Sequence, residues 1–463
     1  LAVAPDGLVE VSKGNFMRSH FALAGVCLLT LCCGPTAFAQ RDAALDAGVD
    51  RQMTELTTTY RHLHQNPELP HHEEKTSAYL AGELRRAGYT VTARVGRYPD
   101  GSQAFGVVAV LKNGDGPTVL VRTDMDALPV TEATGVDYAS HVRATSADGQ
   151  DVGVMHACGH DLHMTVLLGV ARELAARLER WHGTVVLVGQ PSEETIDGAK
   201  AMLADGFYER FPRPDFILDT HDTNDIATGH VAIGAGPMLA GANSLRVTFH
   251  GISAHGSRPS QGKDPIVMAS EFVVLAQAIV SRQIPSQDPS VLTVGTFHAG
   301  TKNNIIPDDA VLGISMRFYS DEVRKQLLDG ITRTANGVAV AYGVAPGRMP
   351  EIQLLESTVP TLNDAALADR MKKVAERALG AERVDKATPV MGSEDVGYFS
   401  LDGKIPFVFY WLGASDPQKL AAWRAGGTPL PSNHSALFAP VYEPAIRTGV
   451  TAMSAMVFDL LHK

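Results

Sequence analysis

Thr184-Val185-Val186-Leu187-Val188-Gly189-Gln190-Pro191-Ser192-Glu193-Glu194 runs from an apolar segment directly into two adjacent acids. The apolar part reads as a buried strand, and the acids then sit at the carboxyl end of a sheet, where open α/β sheets place their ligands. Neighbouring carboxylates in a loop can point in different directions, so one can hold a metal ion while the other takes a proton from water. Taken alone, the pair reads better as a solvated acidic helix start favoured by the helix dipole.

Other segments repeat this placement. Arg122-Thr123-Asp124-Met125-Asp126 closes a second apolar run, Thr118 to Arg122, and either Asp124 or Asp126 could orient an imidazole ligand unless it simply pairs with Arg122. Met155-His156-Ala157-Cys158-Gly159-His160-Asp161-Leu162-His163 packs three imidazoles, a thiol and a carboxylate into nine positions just before a helix. A thiolate and an imidazole flanking a glycine can turn toward one ion, although Asp161 could also be a helix cap and Cys158 a small buried hydrophobe. His221 follows the short strand Phe216 to Leu218, and His434 follows the apolar strand Pro406 to Leu412, each past a strand end. Gly251-Ile252-Ser253-Ala254-His255 begins like a nucleophile elbow but lacks the second glycine, which disfavours a serine hydrolase.

Around these segments the chain alternates helical and strand patterns, which predicts an α/β fold with a mixed, mainly parallel sheet flanked by helices. Helical spacing covers Leu56 to His64, Glu73 to Ala87 and Thr165 to Arg180. Asn113-Gly114-Asp115-Gly116 between two apolar runs predicts a β-hairpin. From Gly241 to Ser357 the texture becomes that of a small inserted α+β domain, with strands at Ser244 to His250, Val291 to Phe297, Ala310 to Phe318 and Ile352 to Leu355. The expected division is an upstream extension and signal over 1–39, a catalytic domain over 40–240 and 358–463, and the insert over 241–357.

A net charge of −11 without a long basic run gives no electrostatic reason to expect nucleic acid or an anionic membrane as partner. Met17 opens a stretch with Arg18 and His20, an apolar core from Phe21 through Cys33 and Ala37-Phe38-Ala39 before Gln40, the layout of a secretory signal. Met17 is therefore the expected true start, Gln40 the expected mature start, and export to the periplasm or medium the expected location, with no membrane contact after cleavage. Cys27, Cys32 and Cys33 lie inside that signal, so Cys158 would remain as the lone cysteine. No further transmembrane run is expected.

With these residues assembled, the chain resembles the metallopeptidase family of aminoacylases, hippurate hydrolase, bacterial carboxypeptidases and plant auxin-conjugate amidohydrolases. The resemblance is carried by His64-Gln65-Asn66-Pro67-Glu68, Asp124-Met125-Asp126-Ala127-Leu128-Pro129, His156-Ala157-Cys158-Gly159-His160-Asp161, Gln190-Pro191-Ser192-Glu193-Glu194, Ala254-His255 with Asp264-Pro265, Asn304-Ile305-Ile306-Pro307, and Glu394-Asp395. It implies that Cys158, His160, Glu194, His221 and His434 ligate two divalent ions and that Glu193 is the general base. It implies further that the insert is a lid that dimerises and that His255 and Asn304 serve the oxyanion in the partner's site. Arg317 is a looser match for a residue meeting the substrate carboxylate. Zinc suits thiolate and imidazole, with manganese, cobalt or nickel as alternatives.

The expected activity is hydrolysis of the amide bond of an N-acyl amino acid or similar small conjugate. A dipeptidase or carboxypeptidase is the alternative within the family, and a non-catalytic periplasmic metal- or peptide-binding protein the alternative outside it. A carrier would not need the spare carboxylate of Glu193. The chain departs from the branch at Asp222-Thr223-Asn224-Asp225, at Ala436, and at an enlarged loop from Ala414 to Leu430, all of which bear on specificity.

Overall fold

A computed structural model describes residues 41–462. The proposed signal and the mature start at residue 40 lie outside them. Helices α1 (Ala43–Gln65) and α2 (Glu74–Arg86) lead into strands β1 (Thr90–Arg97), β2 (Gln103–Asn113) and β3 (Thr118–Asp124). Next come α3 (His160–Ala175), β4 (Gly183–Gln190), α4 (Gly198–Ala204), β5 (Phe216–Ala227) and β6 (Val231–Ile233). The insert follows as β7 (Gly241–His250), α5 (Pro265–Arg282), β8 (Val291–Ala299), β9 (Asp309–Phe318), α6 (Asp321–Ala341) and β10 (Glu351–Ser357). The chain then returns through α7 (Ala365–Leu379), β11 (Val384–Lys386), β12 (Phe407–Ser415), α8 (Pro417–Arg424) and α9 (Tyr442–Leu460).

The large sheet has the order β1-β2-β4-β3-β5-β12-β6-β11. Four of its seven pairings are parallel, β4–β3, β3–β5, β5–β12 and β6–β11, so the sheet is mixed and mainly parallel. Every residue of β4 is buried, and its side chains alternate between two cores. Val185 and Leu187 face the layer built with α1, α3, α7 and α9, while Val186 and Val188 face the layer with Met202 of α4, Phe399 and Phe409. A strand apolar on both faces gains most from a central position with helices on either side. This is why β4 lies between β2 and β3, and why the expected hairpin at Asn113–Gly116 does not form. The turn reverses the chain, but β2 pairs antiparallel with β4 and β3 pairs parallel with it.

Two further readings change. His221 lies inside β5, which continues to Ala227 beside β12, rather than beyond a strand end. The segment expected as an enlarged loop instead completes β12 and forms α8, whose first turn is capped by the Asp416 carboxylate accepting from Gln418 N and Lys419 N. Helix α5 is also long and apolar enough to cross a membrane by length and composition. Its inner side chains Met268, Ala269, Phe272, Ala276 and Ile279 are buried in the core that it shares with the sheet β8-β9-β7-β10 and α6.

Helix α1 is tied to α3 by a buried imidazole. His64 Nδ1 lies 2.7 Å from Asp161 Oδ2, and its Nε2 lies 3.2 Å from Glu132 Oε1. Burial works against the His64 cation, but the two carboxylates outweigh it and hold the pKa at about 9. A folded-state value above the ordinary 6.5 stabilises fully below that pH and is lost as pH rises through about 9. The urea midpoint should therefore fall across this window in the wild type, and His64→Gln should remove that part of the slope; an unchanged slope would contradict the assignment.

Candidate metal centre

Three of the expected ligands arrive on loops that leave the sheet's carboxyl rim or lead into a helix, and each loop has a local reason for its shape. Gly159 takes φ +87° at the start of α3, which lets Cys158 and His160 on its two sides turn inward. A Cβ at Gly159 would lie 2.3 Å from Asp222 Oδ1, so no other residue fits without displacing that carboxylate. His434 has φ +69° and is fastened by its N–H donating to Ala157 O at 2.8 Å, while Asn433 Nδ2 donates to Cys158 O at 3.2 Å. Ser192, buried at φ +53°, begins the turn that presents Glu193 and Glu194.

That turn is gripped from two sides. Asp126 accepts from Glu193 N at 3.0 Å and from Glu194 N at 2.9 Å. Behind it, Glu73 Oε1 accepts from Ser192 N at 2.8 Å, from Ser192 Oγ at 2.9 Å and from His71 N at 3.1 Å, and Tyr98 Oη lies 2.6 Å from Ser192 Oγ. Sequence reading missed Glu73, because an acid before a helix reads as an ordinary dipole-complementing residue. Its role is visible only through a residue 119 positions away.

The five expected ligands meet in space. Cys158 Sγ lies 3.4 Å from His221 Nε2 and 3.2 Å from His434 Nε2. Glu194 Oε1 lies 3.5 Å from His434 Nε2 and 3.9 Å from His160 Nε2. Glu193 Oε2 is also 3.9 Å from His160 Nε2. The imidazole tautomers are set from outside the cluster: His160 Nδ1 donates to Asp126 O at 2.8 Å and His221 Nδ1 to Asp222 O at 2.7 Å. With Nδ1 committed, each ring turns its Nε2 toward the other candidate ligands, and His160 Nε2 and Glu194 Oε1 are buried without hydrogen-bond partners.

Asp124 turns one oxygen to His163 Nδ1 at 2.7 Å and the other to Arg122 at 2.9 Å, and its second oxygen stands 3.7 Å from His160 Nε2. Arg122 is fully buried and bridges Asp124, Glu394 and Gln190, with Asp219 and Asp395 close by. His163 and Asp222, 3.1 Å apart, complete a buried layer that the sequence offered only as part of a dense motif. Arg317 reaches in from the insert and donates to Ser393 Oγ at 2.7 Å. His255 and Asn304 are brought together in the insert, where His255 pairs with Ile305 and Gly256 N donates to Asn304 O. Neither lines the cleft into which the ligands open.

Electrostatics bear on what this cluster can hold. Burial, then the nearby Glu394 and Glu194 carboxylates, push Glu193 well above the usual carboxylate range. Burial raises Glu194 to about 7 despite His160, and burial with Glu194 and Glu193 raises the Cys158 thiol. Burial lowers His221 to about 4. In the bare protein the ligand-competent anions are thus disfavoured by desolvation and by each other, a penalty that divalent cations at the same spot would reverse. The donor set fits: Cys158, Glu194 and His434 each offer an atom within 4.8 Å of the others, as do His160, Glu193 and Glu194. Five donors exceed what one four-coordinate ion needs.

Comparison with known proteins agrees with this geometry. The pattern of peptidase family M20/M25/M40 matches residues 120–423. The chain is similar to the hippurate hydrolase of Campylobacter jejuni, at 35% identity over 75% of this chain and 85% of that one. It is also similar to an IAA-amino acid hydrolase of Arabidopsis thaliana, at 34% over 86% and 83%, and to thermostable carboxypeptidase 2 of Saccharolobus solfataricus, at 32% over 87% and 94%. Among solved structures, an aminohydrolase from methicillin-resistant Staphylococcus aureus superposes with a TM-score of 0.79 at 28% identity, over 90% of this chain and 99% of that one. A dinuclear metal-binding peptidase from Bacillus subtilis gives 0.71 at 26%, over 89% and 99%.

Because the loop between Cys158 and His160 depends on a left-handed glycine against Asp222, Gly159→Ala should fold but bind metal poorly. Elemental analysis of the dialysed variant should show a clear loss of metal against the wild type; full retention would mean that the loop geometry does not govern the site.

Proposed function

The chain belongs to peptidase family M20/M25/M40, and from that premise we propose that it hydrolyses the amide bond of N-acyl amino acids or similar small conjugates, releasing the free amino acid. The observation that carries this reading is the convergence of Cys158, His160, Glu194, His221 and His434 beside one further carboxylate, Glu193, that is not needed as a ligand. These five side chains would hold two divalent ions. When bound, the ions would polarise the amide carbonyl and acidify a water. Thiolate and imidazole favour zinc, with manganese, cobalt or nickel as competitors.

Glu193 supplies the proton chemistry. Its N–H is fixed on Asp126 and its carboxylate opens into the cleft, so it can take a proton from the attacking water and return it to the departing amine. Arg317, half-buried and lining the same cleft, meets the carboxylate of the amino-acid half. A carboxypeptidase reading is favoured by the similarity to the Saccharolobus enzyme; it would use the same groups of this chain and differ only in what fills the acyl side.

His255 and Asn304 would reach the reacting carbonyl from a second copy of the chain. Support comes from their exposed placement away from the chain's own cleft and from the outer face of α5, where Val267, Val274 and Leu275 are exposed beside the open edge of β8. The protein is accordingly read as a homodimer joined through its inserted domain. The Met17–Ala39 stretch supports export to the periplasm or medium.

Glu193→Gln should keep metal but lose hydrolysis of acyl amino acids by at least 1000-fold, on the order of a lost general base together with altered charge. Glu194→Ala and Cys158→Ala should lose metal as well, and equal metal loss in all three would mean that base and ligand are misassigned. Mixing inactive His255→Ala with inactive Glu193→Gln should restore activity in the heterodimer, because one shared site regains both groups. No recovery, with mixed dimers present by mass spectrometry, would refute the cross-subunit role.

A further inference from the structure

We propose that Glu73 is a positioning residue for the hydrolysis: through Ser192 it orients the turn that aims the Glu193 carboxylate, so the rate depends on a group that never meets substrate. The inference rests on the amidohydrolase reading and adds a residue to that same site. Glu73 is fully buried and does not line the cleft. It stands just before α2, where a polar side chain ordinarily accepts from its own helix's free N–H groups. Here it makes no such bond. Its Oε1 accepts instead from Ser192 N at 2.8 Å, Ser192 Oγ at 2.9 Å and His71 N at 3.1 Å, while Oε2 is buried without a partner. Among the described residues, the hydrogen bonding of this carboxyl group is directed entirely at Ser192 and the chain beside it.

The turn needs such an anchor. Ser192 at φ +53° and Ile196 at φ +58° both lie in the left-handed region, where a β-branched residue such as Ile196 is strained. The segment closes tightly on itself: Ile196 N donates to Glu193 O at 2.7 Å and Gly198 N to Ser192 O at 3.2 Å. A Cβ at Gly198 would lie 1.6 Å from Pro191 O, so the closure admits only glycine there. These internal bonds fix the shape of the turn but not its orientation toward the ligand cluster.

Orientation takes two anchors. Asp126 is one, accepting from Glu193 N and Glu194 N. With that anchor alone the turn could pivot about the backbone of the two acids and swing the Glu193 side chain. The segment from His71 to Glu73 removes this freedom. Besides the Glu73 bonds, His71 N donates to Ser192 Oγ at 2.9 Å, and the His71 ring stacks on Tyr98 with centroids 4.1 Å apart. Tyr98 Oη lies 2.6 Å from Ser192 Oγ, and His71 Nε2 lies 3.1 Å from Asp197 Oδ2 at the far end of the turn. Losing Glu73 would leave the Asp126 anchor in place, so Glu194 would still meet its metal while Glu193 would lose its aim.

Glu73→Met keeps the shape of the side chain and removes its acceptor, whereas Glu73→Gln keeps the acceptor. With the metal-loaded enzyme and an N-benzoyl amino acid, Glu73→Met should lose about 100-fold in kcat, the order that a misplacement of about 1 Å costs. KM and bound metal should stay at wild-type levels, and Glu73→Gln should recover most of the rate. Hydrogen exchange of the amides at 192–196 should be faster in Glu73→Met than in the wild type or Glu73→Gln, with β4 unchanged. Equal kcat in all three proteins, equal loss in both variants, or metal lost in step with kcat would overturn the proposal. Should Glu73→Met not fold, Tyr98→Phe removes one hydroxyl from Ser192 and keeps the ring; a lower kcat at unchanged KM supports the proposal and an unchanged kcat overturns it. If the wild type cleaves no acyl amino acid, the amidohydrolase reading fails. Exchange at 192–196 then still decides: faster exchange in Glu73→Met keeps the positioning role for whatever reaction the site performs, and unchanged exchange overturns it.

Discussion

Everything at the centre of this protein follows from the crowding of desolvated, mutually repelling ligand groups into one cavity. A thiol, two adjacent glutamates and the aspartates behind them cannot all be ionised there by themselves, and burial pushes Glu193, Glu194 and Cys158 toward their neutral forms. Burial works against a charged His160, yet Asp124 and Asp126 more than offset that and raise its pKa well above the usual value. Such an arrangement is costly unless cations occupy it, so the fold carries a site whose stability and chemistry are both completed by metal.

The surrounding structure keeps those groups from relaxing apart. The three carboxylates at the rim are fixed by different means: Asp126 by two backbone N–H groups, Asp124 by His163 and Arg122, and Glu394 by Arg122. Three backbone positions with positive φ, at Gly159, Ser192 and His434, bring the candidate ligands inward at angles that ordinary strand or helix ends would not reach. Strain at Ser192 persists because Glu73 and Tyr98 hold its hydroxyl and N–H from behind. The central sheet, with β4 buried on both faces, is the rigid frame against which these small deformations are referenced.

Much of this was legible in the sequence wherever the signal was local. The Cys158-Gly159-His160 spacing and the acids directly after the buried strand announced ligand chemistry because each needs only a few neighbouring residues. Groups joined over long separations were not legible. Glu73 meets Ser192, and Arg122 meets Glu394, only after the sheet is assembled. The Asn113–Gly116 turn misled for the same reason: local turn chemistry gave a reversal, while the choice of strand partner belonged to the doubly apolar β4. His221 was singled out by its chemistry and does lie beside Cys158, although its strand was drawn too short, since the polar residues after it conceal a pairing with β12. The helix α8 hid in a segment rich in loop residues, and its place at the cleft is a tertiary fact.

The insert brings Arg317 to the cleft, and α8 brings Arg424 to it. On this reading the candidate ligand cluster holds two ions. Anomalous diffraction from crystals of the metal-loaded enzyme, collected on either side of the metal's absorption edge, measures this directly. Two peaks are expected, roughly 3.5–4 Å apart, with the Cys158 sulfur in bonding contact and the Glu193 carboxylate free of both. A single peak, or metal bound anywhere else on the chain while these five side chains stay unliganded, would contradict the account.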